Sequence, residues 1–98
     1  MLTKEDVLEA LSKAKHPEID YSLVDLGMIK DVQIDGETVT ITLDLPFRGV
    51  PVKDMLVKSV KDAMAEEYPD ARVEMAFSTM EDAVREEFAS KARERWKS

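Results

Sequence analysis

The chain has 98 residues, no cysteine, one histidine, and 14 Lys+Arg against 21 Asp+Glu, for a formal charge of −7. Length alone gives one domain, residues 1–98, and the missing thiols exclude disulfides, thiol nucleophiles and thiolate metal sites, as the lone imidazole excludes a multi-histidine zinc site. An acidic surface repels phosphate backbones, and no apolar run approaches the roughly 18 residues that span a bilayer, so neither nucleic acid nor membrane is an expected partner.

The N-terminus, MLTKEDVLEAL, carries acids where a signal peptide is apolar, so a cytoplasmic protein is expected. Thr3 with Asp6 makes an acidic capping box, and Leu2 with Val7 makes the staple over it. Val7, Leu8, Leu11 and Ala14 recur at helical spacing, and Pro17 ends this helix. Residues 22–27 (SLVDLG) read as a single turn, capped by Ser22 and left through Gly27. Residues 28–34 are a first strand, Asp35-Gly36 is a hairpin signal, and residues 37–45 are a second strand. Val39, Ile41, Leu43 and Leu45 face one side of it; Thr38, Thr40, Thr42 and Asp44 face the other.

After the loop PFRGVP at 46–51, Pro51 opens a second helix. Val52, Met55, Leu56, Val60, Ala63 and Met64 form its apolar face, and Tyr68-Pro69 stops it. Residues 71–77 alternate again, with Val73, Met75 and Phe77 inward. Thr79 with Asp82 repeats the acidic capping box, and a third helix runs from about 80 to 96 on Val84, Phe88, Ala92 and Trp96. The basic run at 91–97 is what a helix dipole favours in a last turn. The expected fold is α+β, a two-layer αββαβα with a three-stranded mixed sheet and helices mainly on one face. Whether the third strand pairs beside the first or the second stays open.

The stretch from His16 to Leu56 resembles the SufT/PaaD-type metal–sulfur cluster assembly domain, also found before the ATPase domain of Mrp-type proteins. Pro17 and Glu18 match its Asp-Pro-Glu motif, with His16 in place of the aspartate. Val24, Asp25, Leu26 and Gly27 match its Val-Asp-Leu-Gly turn in full. Gly49, Val50 and Pro51 fall on its Gly-Cys-Pro position, with valine where cysteine is usual. The resemblance covers residues 3–77 and extends loosely into the tail. It implies an accessory role in iron–sulfur cluster assembly or protein maturation. Partners would be cluster carriers, scaffolds or Mrp-type ATPases, and self-association is compatible with it. No enzyme activity and no resident cofactor are implied. Val50 offers no soft ligand for iron, so a cluster held through that cysteine is not expected here. A competing reading is a generic interaction module that lost the cluster role with the cysteine.

The residues singled out as a pocket or partner surface are Glu18, Asp20, Asp25, Gly27, Phe47, Arg48, Gly49, Val50 and Pro51. Asp25 either bonds backbone amides in its turn or stands at a pocket mouth beside the 46–51 loop. Glu18, Asp20 and Asp44 are candidates to join it around a hard cation. His16 reads as a surface or helix-end residue. Arg48 supplies a fork for carboxylate or phosphate near a helix N-terminus, and Phe47 either packs down or anchors a partner. The segments 20–27 and 46–55 are expected side by side.

Overall fold

The structure, a computed structural model, describes residues 2–96. Its first helix, α1 (Lys4–Leu11), begins with the expected capping box: the Thr3 hydroxyl accepts from the Asp6 amide at 3.1 Å, and the Asp6 carboxylate accepts from the Thr3 amide at 3.2 Å. Two amides that no helical carbonyl can reach are satisfied this way. The helix buries Val7, Ala10 and Leu11, and Leu2 packs against the same core.

Strands β1 (Ile29–Asp35) and β2 (Thr38–Leu45) pair antiparallel. The hairpin turn is one residue later than expected. Asp35 pairs with Thr38, so the loop residues are Gly36 and Glu37. Among the described residues only glycines have positive φ, and Gly36 sits at 63° in the first loop position. That is the sign pattern of a II′ turn rather than the I′ turn that Asp-Gly suggests.

Helix α2 (Lys53–Glu67) leads to β3 (Arg72–Thr79), which pairs parallel to β2 and settles the open question of its neighbour. The sheet order is β1-β2-β3. The most apolar strand takes the centre because only there is its inner row covered from every side: Val39, Ile41 and Leu43 are fully buried. The parallel register sets Val73, Met75 and Phe77 beside these three. α1 and α2 pack on each other and share one core with this sheet face, through Leu11, Leu56, Val60 and Met64. Each such fully buried side chain contributes about 1.5–3 kcal/mol. The other face carries Thr38, Thr40 and Thr42, all half-buried.

The final helix, α3 (Asp82–Arg95), departs from expectation at its start. Thr79 does not cap it, because Thr79 is still in β3, paired with Leu45; Glu81 is the N-cap and no side chain bonds there. Trp96, which its place near the C-terminus leaves open as either a closing knob of the core or an exposed interface anchor, stands exposed. Lys97, counted in the basic run, lies outside the described residues. Only Ala92 of α3 is buried, with Val84 and Phe88 half-buried against the core. Polar ties hold the rest. The Arg85 guanidinium donates to the Pro46 carbonyl at 2.6 Å and the Met80 carbonyl at 2.7 Å. Lys91 donates to the Asp25 carbonyl at 2.6 Å, and the Asp20 amide donates to the Arg95 carbonyl at 2.9 Å. α3 is therefore bound to both segments that the sequence singled out. Two side chains expected in the core, Met55 and Phe77, are exposed instead.

Candidate functional site

The first segment folds around two local devices. His16 is buried, not a surface residue, and its Nδ1 accepts from the Glu18 amide at 3.0 Å. Its ring lies 6.4 Å from that of Phe88 on α3. A bond from a side chain to the amide two residues on is what aspartate makes in an Asx turn. Histidine thus reproduces the bond available to the aspartate of the Asp-Pro-Glu motif, and adds an aromatic contact.

The second device is the Val24–Gly27 turn. The Ser22 hydroxyl accepts from the Asp25 amide at 3.1 Å. The Gly27 amide donates to the Val24 carbonyl at 3.0 Å, and the Met28 amide donates to the Leu23 carbonyl at 3.0 Å. With Gly27 at φ 73°, this is a Schellman exit, and its apolar pair is Leu23 with Met28, both fully buried. Within the motif, Gly27 takes the left-handed position and Leu26 is buried, while the apolar pair beneath the turn, Leu23 and Met28, flanks it. The capping oxygen belongs to Ser22, and the Asp25 side chain stands exposed.

Glu18 and Asp20 are exposed as well, with the Asp20 carboxylate 3.9 Å from the Lys15 ammonium. Asp44 is buried and accepts from the Ser78 hydroxyl at 2.6 Å. Among the described residues, no three carboxylate or imidazole groups converge to hold a metal ion.

The second segment leaves the same end of the sheet, because the Asp44 amide donates to the Met28 carbonyl at 2.7 Å. Phe47, Arg48, Gly49 and Pro51 are exposed, and Val50 is half-buried against the core. Gly49, at φ 72°, turns the chain toward α2. The N-cap of α2 is Val52, which makes no side-chain cap bond. A groove of about 260 Å³ runs from Phe47, Arg48 and Gly49 across Lys53 to Phe77 and Thr79. The Lys53 ammonium lies 4.0 Å over the Phe77 ring. Gly27 opens onto a different groove, shared with Lys30, Asp44, Glu81 and Glu87. The two segments are thus joined at their roots but line separate openings.

Sequence reasoning missed Lys53 and Phe77 as parts of the loop's surroundings. Phe77 alternates with Val73 and Met75 and so reads as core; only the parallel register, which sets it opposite Leu43 near the end of the sheet, brings it to the groove. Lys53 carried no signal at all.

The αββαβα fold and its exposed strand-to-helix loop define a class. Residues 4–77 match the model of the family described as iron-sulfur cluster assembly protein, and the chain belongs to that family. Over 78 residues it is 33% identical to the Fe-S protein maturation auxiliary factor YitW of Bacillus subtilis, covering 76% of each protein. Over 64 residues it is 41% identical to an iron-sulfur cluster carrier protein of Synechocystis sp.; the match takes in 65% of this chain and only 18% of the carrier. A solved structure of a conserved hypothetical protein from Thermotoga maritima has the same fold, with a TM-score of 0.74 and 26% identity over 95% of this chain and 92% of that one. The family match ends before α3.

Proposed function

We propose that this chain is an accessory factor of iron–sulfur protein maturation in the cytoplasm, acting by contact with other proteins rather than by catalysis. Its partners on this reading are cluster carriers, scaffolds or Mrp-type ATPases. Family membership supports the process, and the 47–53 loop supports the mode of action. There, the family's usual thiolate is replaced by Val50, while an aromatic, an arginine and a lysine remain presented to solvent. A valine cannot ligate iron, so a cluster is cargo held by a partner and not by this loop. What the loop offers a partner is shape, apolar area and positive charge.

The replacement of cysteine also favours a second reading, an interaction module no longer serving clusters. Affinity capture of the tagged chain from its own cells separates the two. The maturation reading expects cluster carriers, scaffolds or cluster-requiring proteins, enriched over cells with the tag alone. Recovery of an unrelated complex alone would reject it.

A further inference from the structure

Of the five large apolar side chains that the described residues expose, three lie around the start of α2: Phe47 at 54%, Met55 at 55% and Phe77 at 42%. Two of these, Phe47 and Phe77, line one groove together, and an exposed apolar patch rimmed by polar groups is the kind of surface that binds a partner. Its charge is opposite to that of the molecule. The groove is lined by Arg48 and Lys53 and by no carboxylate, although the chain has 21 acids. Among the described residues neither cation joins an ion pair, so both are free to meet a carboxylate of a partner. Lys53 is held over the Phe77 ring instead, so its charge sits at a fixed place on an apolar floor. The uncapped α2 N-terminus adds amide donors and positive potential behind it.

We infer that this groove docks an acidic protein segment in which carboxylates alternate with aliphatic side chains. The aliphatic side chain fills the space between Phe47 and Phe77, and the flanking carboxylates reach Arg48 and Lys53. An arginine fork takes a carboxylate with two parallel bonds, which an amide cannot reproduce. Against a net charge of −7, a groove lined by two cations and no carboxylate favours one orientation of approach for an acidic segment. The inference deepens the reading of the loop as a partner surface and rests on it.

The test uses the full chain and a blocked nonapeptide in which leucine alternates with glutamate, labelled for fluorescence anisotropy. Its control has glutamine at every glutamate position. The acidic peptide is expected to bind at least about tenfold tighter than the glutamine peptide, a difference of about 1.4 kcal/mol. Binding should weaken as salt rises and the Debye length shrinks. The double variant Arg48→Glu/Lys53→Glu should lose the preference; both side chains are exposed and acids suit a helix start, so it should fold as wild type by circular dichroism. The double variant Arg48→Gln/Lys53→Gln should fall between. Amide shifts in a nitrogen-15 titration should cluster at 47–55 and 77–79. Equal binding of the two peptides, no binding of either, or shifts centred elsewhere would overturn the inference. Those results leave the maturation reading intact, which stands or falls on cellular cluster enzymes and not on this peptide.

Discussion

The buried His16 gives a sharp prediction about how the Asp-Pro-Glu segment holds its shape. Changing His16 to alanine removes the acceptor for the Glu18 amide, which is partly buried at 3.0 Å from Nδ1. An unpaired, partly buried amide costs about 1–2 kcal/mol. Losing the ring beside Phe88 leaves a void that adds about 1 kcal/mol. His16→Ala should therefore cost about 2–3 kcal/mol, a shift of roughly 2 M in the urea midpoint for a slope near 1.2 kcal/mol/M. His16→Asn keeps an acceptor that reaches the amide two residues on, so it should lose only about 1 kcal/mol, the packing share. Urea unfolding followed by far-ultraviolet circular dichroism measures both. If asparagine costs as much as alanine, the acceptor is not what holds the segment. A loss under about 0.5 kcal/mol for alanine would refute the whole account of this turn.

Three further outcomes are expected. Gly49→Ala should cost about 1 kcal/mol in urea unfolding, because a Cβ there meets nothing within 4 Å and the whole penalty comes from φ 72°; an unchanged midpoint contradicts this. Val50→Cys should fold with a loss of about 1 kcal/mol or less, since a thiol is a small apolar group at a half-buried place; iron analysis after anaerobic loading then reports whether the loop still accepts metal when given a thiolate. In an ultraviolet titration both tyrosines should ionise above the ordinary phenol value. Tyr21 does so chiefly because its hydroxyl donates to Glu94 at 3.0 Å, and Tyr68 because of desolvation, then the charges of Asp6, Glu67 and Glu9. The folded protein holds the neutral phenol more firmly, so this contribution is complete below pH 10 and is lost as pH rises through the raised values; Glu94→Gln should bring Tyr21 back toward 10.

What the sequence made legible was set by local chemistry. The Thr3–Asp6 box, the Ser22 cap and the Gly27 exit depend on neighbours within six residues, and all three form as expected. The alternation in β2 exposed its buried face because both sides of that row are covered. The misreadings fall where distant contacts decide. Thr79 is a good cap by type, but pairing with Leu45 keeps it in β3. Met55 and Phe77 have core spacing, yet they sit at the rim where α2 begins and the sheet ends. His16 lies under α3, a helix joined to it only by tertiary contact. Of the candidate surface, Phe47, Arg48 and Gly49 were readable from their place between strand and helix, whereas Lys53 and Phe77 required the fold.

The central claim, that this protein assists iron–sulfur maturation by contact, is tested most directly in cells that lack it. The measurement is the specific activity of a cluster-requiring enzyme per unit of its polypeptide, taken under iron limitation and under oxidative stress. The account predicts a loss that wild-type protein restores and that Arg48→Glu/Lys53→Glu, folded and equally abundant, does not. Equal activity with and without the protein under both stresses would contradict it.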